Sequence, residues 1–195
     1  MTIIAIIDCC GSNYTSIKQA LERLGARVRL THNIKTIAEA DFVILPGVGH
    51  AAAAMAALKH HGLDVFIPGL RQPVLGICLG MQLLYSFSEE GQTPALSIIP
   101  GVIKEFDRRK GLVPHMGWNT IESVSPEPHF LLDGVLAMDC VYYVHGFYAP
   151  VSTETIAIND YIQPFSAMVE KDNFYGVERA QNNFLFFMAK YLPIS

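Results

Sequence analysis

Hydrophobic positions along the chain follow two different patterns. In the first half, short apolar runs alternate with segments whose apolar residues recur at helical spacing, and Gly or Pro residues mark the turns between them. The predicted strands are Thr2–Asp8, Ala26–Leu30, Asp41–Leu45 and Pro73–Cys78, and the predicted helices are Asn13–Leu24, His50–His60 and one that begins at Leu79. Alternating strands and helices predict an α/β fold with a doubly wound, mostly parallel sheet.

The pattern changes after Gly91, where short segments of alternating apolar and polar residues replace the helices. These segments are Val102–Phe106, Trp118–Val124, Cys140–Val144, Thr155–Asn159 and Ser166–Val169. Their alternation predicts antiparallel strands added at an edge of the sheet. A final helix is predicted over Ala180–Leu192. Because the chain shows no repeat, linker or low-complexity tract, we predict a single domain over residues 1–195.

Composition narrows the choice of partners. Of the 195 residues 51% are hydrophobic and only 16% are charged, so little polar material is available to cover the surface. We therefore predict permanent association with another protein, although a monomer with an apolar surface is the alternative. The net charge of −4 and the single basic run, Arg108–Lys110, argue against a nucleic-acid partner.

Targeting and metal signals are also absent from the sequence. The longest apolar runs fall far short of the roughly 20 residues that span a bilayer, which predicts no membrane partner. The N-terminus enters an apolar strand without a basic leader, which predicts a cytoplasmic protein. The four cysteines, at positions 9, 10, 78 and 140, show no C-x-x-C spacing, so we expect no metal and no disulfide. No cofactor is predicted either.

The strongest chemical signal lies where the fourth strand meets its helix. The segment Gly76-Ile77-Cys78-Leu79-Gly80 matches the G-x-nucleophile-x-G turn, in which a nucleophile stands on a strained backbone between two glycines. Side chains at the glycine positions would collide with neighbouring backbone. At a helix N-terminus the thiol of Cys78 is expected to be stabilised as a thiolate, and the Leu79 amide can face an oxyanion. A small buried cysteine is the alternative.

A second glycine-bearing segment ends the third strand. Leu45-Pro46-Gly47-Val48-Gly49 stands where ligands bind in open α/β sheets. Its glycines are either ordinary turn residues or a means of presenting a backbone N–H toward the nucleophile. In the second case the segment completes an oxyanion hole for an acyl intermediate.

Four motifs carry a family resemblance. LPGVG, GICLGMQLL, VPHMGWN at Val113–Asn119 and YYVHGFY at Tyr142–Tyr148 resemble class I glutamine amidotransferases, and among them the glutaminase subunits of imidazole glycerol phosphate synthases. The resemblance covers nearly the whole chain and implies that family's fold, with a flavodoxin-like core. It also implies that Cys78 attacks the side-chain amide of glutamine, forms a γ-glutamyl thioester and releases ammonia. The ammonia would pass to a (β/α)8-barrel cyclase subunit within a heterodimer that serves histidine biosynthesis.

The same resemblance implies roles for further residues. Gly47, Val48 and Gly49 would form the oxyanion strand and part of the glutamine site, with Leu79 supplying the second oxyanion amide. Gln82 would contact the amino-acid end of the substrate. The backbone near His145, Gly146 and Phe147 would line the glutamine pocket. The family usually has Ser or Thr where this chain has Gly146, and a small residue there still leaves the backbone available.

The chain departs from the family pattern at the catalytic base. A cysteine nucleophile needs a group that takes its proton, and the family supplies a histidine and an orienting carboxylate from a GVQFHPE-type turn. This chain instead reads Gly176-Val177-Glu178-Arg179, and no histidine follows His145. Glu178 is then either the remnant of the orienting carboxylate or an exposed carboxylate at a helix start. For His115 and His145 we predict structural roles. The hypothesis from sequence is a poor glutaminase.

Two other functions stay open at this point. One is a catalytically silent scaffold that binds and shapes a barrel partner. The other is the amidotransferase subunit of a system that amidates sugars of surface polysaccharides. The candidate docking face comprises Asn13, Trp118 and Tyr142, because exposed aromatic residues are favoured interface anchors. The alternative for both aromatic residues is a half-buried place in the core.

Overall fold

The computed structural model describes residues 2–9, 14–124, 129–132 and 140–178. The helices are α1 (Tyr14–Arg23), α2 (Ile34–Ala38), α3 (Ala51–His60), α4 (Leu63–Phe66) and α5 (Leu79–Gln82). The strands of the first half are β1 (Ile3–Ile7), β2 (Arg27–Thr31), β3 (Phe42–Gly47), β4 (Val74–Cys78) and β5 (Tyr85–Ser88). The later strands are β6 (Thr93–Pro94), β7 (Ile99–Glu105), β8 (His115–Thr120), β9 (Glu122–Ser123), β10 (Cys140–His145), β11 (Phe147–Tyr148), β12 (Thr155–Asp160), β13 (Pro164–Lys171) and β14 (Phe174–Val177).

An eight-stranded sheet organises the described residues, in the order β2-β1-β3-β4-β14-β13-β12-β9. The pairs from β2 through β14 are parallel, while β13, β12 and β9 are joined by antiparallel pairs. The predicted doubly wound, mostly parallel α/β fold is therefore confirmed. The location of β4 near the middle of this sheet places its carboxyl end, and hence Cys78, between two neighbouring strands.

Strands β1, β3 and β4 of the main sheet are largely apolar and buried, and a hydrophobic core packs against each face of the sheet. Alternate residues of β1 point to opposite faces, so Ala5 and Ile7 enter one core while Ile4 and Ile6 enter the other. All six residues of β3 are buried. A strand covered on both faces reads as a continuous apolar run, which is the pattern that predicts these strands.

All five segments predicted for the second half contain residues of strands that form antiparallel pairs, but the predicted location at an edge of the main sheet is wrong for Val102–Phe106 and Cys140–Val144. Thr155–Asn159 and Ser166–Val169 lie in β12 and β13, which pair antiparallel near one edge of the main sheet. Val102–Phe106 falls largely in β7 of a separate four-stranded sheet, where β7 is parallel to β5 and antiparallel to β11. Trp118–Val124 is divided between two strands: β9 is the antiparallel edge strand of the main sheet, whereas β8 pairs with β10, which contains Cys140–Val144, in a two-stranded antiparallel sheet. Alternation reports one buried face but does not specify the pairing partner.

Two further expectations need correction or stay untested. The helix predicted from Leu79 is only four residues long, and the chain then turns into β5, which the apolar run did not distinguish from helix. The predicted final helix, Ala180–Leu192, lies outside the described residues. Within the described ranges no helix is long and apolar enough to cross a membrane. The single domain over residues 1–195 remains a prediction.

Candidate active site

The predicted nucleophile lies where three neighbouring strands end. In the parallel register of β3 and β4, Cys78 is paired with Gly47. On the other side, Val177 of β14 is paired with Ile77 of β4, so Glu178 follows beside Cys78. Ligands in open α/β sheets bind outside the carboxyl ends of the strands, and this edge of the sheet brings the predicted site residues together.

The glycines around Cys78 are required by close backbone packing. Cys78 has a left-handed φ of 53° with ψ of −117°, a strained conformation for a residue with a side chain. A Cβ on Gly76 would lie 2.6 Å from the Gly80 carbonyl oxygen, and one on Gly80 would lie 1.8 Å from the Leu45 carbonyl oxygen. The steric reason predicted for the glycine spacing therefore holds, and Cys78 is partly exposed as a residue although its thiol group is buried.

The sequence predicted that Cys78 is stabilised as a thiolate, and this prediction is wrong. Burial of the thiol and the negative charge of Glu178 raise its pKa well above the usual value, against the opposing effect of a hydrogen bond from the Leu79 backbone. The following helix has only four residues, so it offers little dipole to offset a neighbouring carboxylate. The resting sulfur is consequently a thiol, and it needs a base before it can attack.

Glu178 is buried beside this thiol, with only 1% of its surface exposed. Its backbone N–H donates to the carbonyl of Ala167 at 2.9 Å, which fixes the main chain just after β14. Its Oε2 accepts a hydrogen bond from Nε2 of Gln82 at 2.9 Å, and the carboxylate is near enough to Cys78 for the two groups to shift each other's pKa. Burial raises the pKa of Glu178 to about 7, while the bonds with Gln82 and Cys78 act in the opposite sense. The alternative of an exposed carboxylate is wrong.

Gln82 belongs to the same polar group. Its Nε2 also donates to the Phe147 carbonyl oxygen at 3.3 Å, and the residue is 5% exposed. In this structure its amide nitrogen therefore orients Glu178 and Phe147. The contact with the amino-acid end of a substrate, expected from the resemblance, stays a prediction.

The two histidines considered as replacement bases are engaged elsewhere. Nδ1 of His145 donates to the Phe147 carbonyl oxygen at 2.8 Å, since a carbonyl can only accept. Burial lowers the pKa of His145 to about 4, so its Nε2 is an acceptor at neutral pH and receives the Nδ1 proton of His115 at 3.1 Å. Both nitrogens of His145 are thereby occupied. His115 is buried between the rings of Tyr143 and Tyr161, which fits the structural role predicted for it.

The segment predicted to form the oxyanion strand lies on the opposite side of Cys78. Gly47 is buried, and a Cβ there would lie 2.6 Å from both the Gly80 nitrogen and the Leu79 Cβ. Val48 is half exposed, and Gly49 has a φ of +95° that favours glycine. The glycines are thus needed for close approach and for a left-handed turn. Their donation to an oxyanion stays a prediction.

Gly146 is placed so that the family's Ser or Thr would fit. The nearest atom to a Cβ built there is Cγ1 of Val113 at 3.6 Å, an ordinary van der Waals contact. The carbonyl oxygen of Gly146 accepts a hydrogen bond from the Phe106 N–H at 3.1 Å. The departure from the family pattern at this position therefore requires no change in the backbone.

Glu90 is a residue of this neighbourhood that the sequence motifs did not indicate. Its Oε2 accepts a hydrogen bond from the backbone N–H of Ala51 at 2.6 Å and so caps the start of α3. Its charge adds to that of Glu178 in raising the pKa of Cys78. The acidic pair Glu89-Glu90 directly after β5 is the sequence feature that could have drawn attention to it, but only the folded chain places Glu90 near the thiol.

The ribbon of β8 and β10 carries the predicted docking face. Trp118 and Met116 are 63% and 62% exposed, so the core alternative is wrong for Trp118. Tyr142 is paired with Trp118 across the ribbon, is half-buried, and meets its ring edge-on at 5.4 Å between centroids. Asn13 lies outside the described residues. Among the residues described, no cluster of His, Cys, Asp and Glu is suited to a metal ion.

Comparisons with known proteins agree with the fold and show the family of the chain. A sequence model of the class I glutamine amidotransferases matches residues 5–178. Imidazole glycerol phosphate synthase subunit HisH of Bacteroides fragilis is 48% identical over 177 residues, covering 90% of this chain and 89% of that protein. Subunit HisH 2 of Legionella pneumophila is 44% identical over 177 residues, covering 90% and 88%.

Solved structures with lower sequence identity share the fold. A glutamine amidotransferase of Thermotoga maritima superposes with a TM-score of 0.63 at 16% identity, covering 92% of this chain and 75% of that one. The glutaminase domain of CTPS from Trypanosoma brucei, solved with bound acivicin, gives 0.64 at 14% identity, covering 100% and 92%. The family model and the relatives indicate the same family as the strained cysteine turn. The chain belongs to the class I glutamine amidotransferase family.

Proposed function

We propose that this protein is the glutaminase subunit of an imidazole glycerol phosphate synthase, and that it hydrolyses glutamine to glutamate and ammonia at Cys78. The observation that carries the proposal is the strained turn at Cys78, with the Gly47 segment on one side and Glu178 on the other. The relatives named as HisH subunits supply the choice of synthase.

The chemistry follows from the groups around the sulfur. Attack of Cys78 on the side-chain carbonyl of glutamine gives a tetrahedral intermediate whose oxygen carries a negative charge. Backbone amides aimed at that oxygen stabilise it, and the candidates are Leu79 and the segment Gly47–Gly49. Collapse releases ammonia and leaves a γ-glutamyl thioester, which water then hydrolyses. The backbone at 145–147 is the proposed wall of the glutamine pocket.

The proposed function includes a complex with a partner subunit. The finer part of the proposal is that the partner is a (β/α)8-barrel cyclase, bound as a heterodimer, which receives the ammonia. Exposed Trp118 and Met116 on the β8–β10 ribbon support a docking surface there, since large apolar side chains are costly to leave in water. We also propose a cytoplasmic location, where a catalytic thiol is kept reduced.

The two alternatives predicted from sequence are not favoured. A silent scaffold would need no group able to exchange a proton with Cys78, but Glu178 is buried within reach of it. The relatives with 44% and 48% identity are named as HisH subunits, which favours the imidazole glycerol phosphate synthase over a sugar-amidating system.

The test labels the nucleophile and measures turnover. A chloroketone analogue of glutamine should add one label to the wild-type chain at Cys78 and none at that site in Cys78→Ala, as read by peptide mass. Glutamate formation should exceed that of Cys78→Ala and increase when the cyclase subunit is added. Absence of both signals would refute the proposal. Because the family histidine is missing, we expect slow turnover, and a rate near about one per second would contradict that expectation.

A further inference from the structure

We propose that Glu178 itself exchanges the proton with Cys78, so that the site works as a cysteine–glutamate pair without a histidine between them. This inference rests on the proposed glutaminase function and deepens it. It assigns the catalytic base to the residue that sequence comparison offered only as the remnant of an orienting carboxylate.

Geometry is the first support for the pair. Glu178 follows β14 directly, and the register of β14 with β4 brings it alongside the cysteine. Its carboxylate is near enough to the thiol of Cys78 for each group to shift the pKa of the other. The bond from the Glu178 N–H to the Ala167 carbonyl holds the backbone, and the bond from Gln82 holds the carboxylate. A base must reach the proton it takes directly or through one water, and the register of β14 with β4 places Glu178 next to Cys78 for this role.

The neighbouring histidine is the competitor, and its hydrogen bonds exclude it. Nδ1 of His145 comes to 4.0 Å from Oε1 of Glu178, but its proton is directed to the Phe147 carbonyl oxygen at 2.8 Å. Its other nitrogen accepts from His115. To act as base, His145 would have to break one of these buried hydrogen bonds, which carries a penalty.

The proton balance of the reaction closes with one carboxylate. In the first half, the Glu178 carboxylate takes the proton of the Cys78 thiol as sulfur bonds to the amide carbon of glutamine. When the carbon–nitrogen bond breaks, the Glu178 carboxyl gives that proton to the departing nitrogen, and ammonia leaves. In the second half, the carboxylate takes a proton from the attacking water and returns it to the sulfur as the thioester opens. Glutamate, ammonia and the original enzyme result.

Charged and titratable groups around the carboxylate set its pH range. Cys78 lies beside it at the end of β4, and Nδ1 of His145 on β10 lies 4.0 Å from its Oε1. Burial raises the pKa of Tyr85 on β5, and the negative charge of Glu178 adds to that rise. Gln82 donates to the carboxylate from α5, and the carbonyl of Ala167 on β13 accepts from the Glu178 N–H. Because burial holds the pKa of Glu178 at about 7, the ionised base forms as pH rises through neutrality.

This arrangement predicts that Glu178→Gln changes turnover and cysteine alkylation in opposite directions. Glutamine turnover should fall by about 100-fold or more, since a positioned base contributes that much. The rise of turnover with pH near 7 should also be lost. Alkylation of Cys78 by iodoacetamide at pH 8 should become faster, because burial still raises the pKa of the thiol but the added effect of the Glu178 charge is gone. Turnover is measured by glutamate release from the full chain with its cyclase partner, and alkylation by peptide mass.

Each outcome of this experiment decides the question. Slower turnover with faster alkylation supports the pair. Turnover within about threefold of wild type overturns it, and so does a parallel loss of turnover and alkylation, which is the sign of a collapsed site. If wild-type turnover equals that of Cys78→Ala, the glutaminase proposal fails and the pair fails with it. The matched control is Glu122→Gln, an exposed glutamate on β9, which should change neither rate.

A second variant keeps the inference testable if Glu178→Gln folds poorly. Gln82→Met keeps the side-chain length but removes the hydrogen bond that favours the ionised form of Glu178. The rise of kcat with pH in this variant should therefore occur at higher pH than in the wild type. A change confined to KM would show that Gln82 only binds substrate. An unshifted pH profile of kcat in this variant overturns the pair.

Discussion

The raised pKa of the buried Glu178 carboxyl predicts how the stability of the folded protein depends on pH. A carboxyl with a pKa of 4.5 when unfolded and about 7 when folded holds its proton in the folded state over that pH window, while the unfolded chain releases it. Stability therefore falls as pH rises from about 4.5 to 7 and levels off above. At about 1.36 kcal/mol for each pH unit, the ionised carboxylate costs the folded state about 3 kcal/mol at pH 8.

Glu178→Gln removes this cost, because a neutral amide of the same shape can still accept the hydrogen bond from Gln82. We expect the variant to be more stable than wild type by about 3 kcal/mol at pH 8 and within about 1 kcal/mol of it at pH 5. Urea unfolding followed by circular dichroism at the two pH values measures the difference. Glu122→Gln, on the exposed β9, should stay within about 0.5 kcal/mol of wild type at both. Equal or lower stability of Glu178→Gln at pH 8 would refute the reasoning.

Three further predictions concern other parts of the site. Gly80→Ala should unfold or fail to accumulate as soluble protein, since its Cβ would lie 1.8 Å from the Leu45 carbonyl oxygen; a melting temperature near wild type would contradict this. Gly146→Ser should change the unfolding free energy by less than about 0.5 kcal/mol in urea titrations, because its Cβ meets only Val113 at 3.6 Å, and a larger loss would show a hidden clash. Trp118→Ala should weaken binding to the cyclase subunit by about 2 kcal/mol in calorimetry while leaving the melting temperature unchanged; undiminished affinity would place the docking surface elsewhere.

The nucleophile turn was predictable because its cause is local. The spacing of Gly76, Cys78 and Gly80 along the chain already states that two positions near the nucleophile accept no side chain. The structure supplies the atoms that exclude them. The buried strands of the first half were predictable for a similar reason, since a run covered on both faces is apolar throughout.

The electrostatics of Cys78 could not be predicted in the same way. Its position before a helix suggested a stabilised thiolate, but the helix ends after four residues and the dominant effects are burial and Glu178. Glu178 is 100 positions further along the chain and becomes its neighbour only through the register of β14 with β4. Sequence spacing carries no record of which strand ends are adjacent in a sheet.

The pairing of the later strands could not be predicted from the sequence, for the same reason. Segments of alternating apolar and polar residues were recognised as strands, but β7, β8 and β10 lie in two additional sheets. The predicted segment Trp118–Val124 also covers parts of two strands, because β8 ends at Thr120 and β9 begins at Glu122. An exposed aromatic residue such as Trp118 has the same appearance in the sequence as one that packs in the core.

One carbonyl group connects the buried histidines with the proposed base. The Phe147 oxygen accepts from His145 Nδ1 and from Gln82 Nε2, and the same Gln82 amide nitrogen donates to Glu178. A neutral His145 keeps this oxygen in place, so Gln82 keeps its nitrogen directed at the carboxylate. In the proposed reaction the histidine therefore acts through position. Its proton never needs to move, which is why a side chain with a pKa of about 4 can support a reaction near neutral pH.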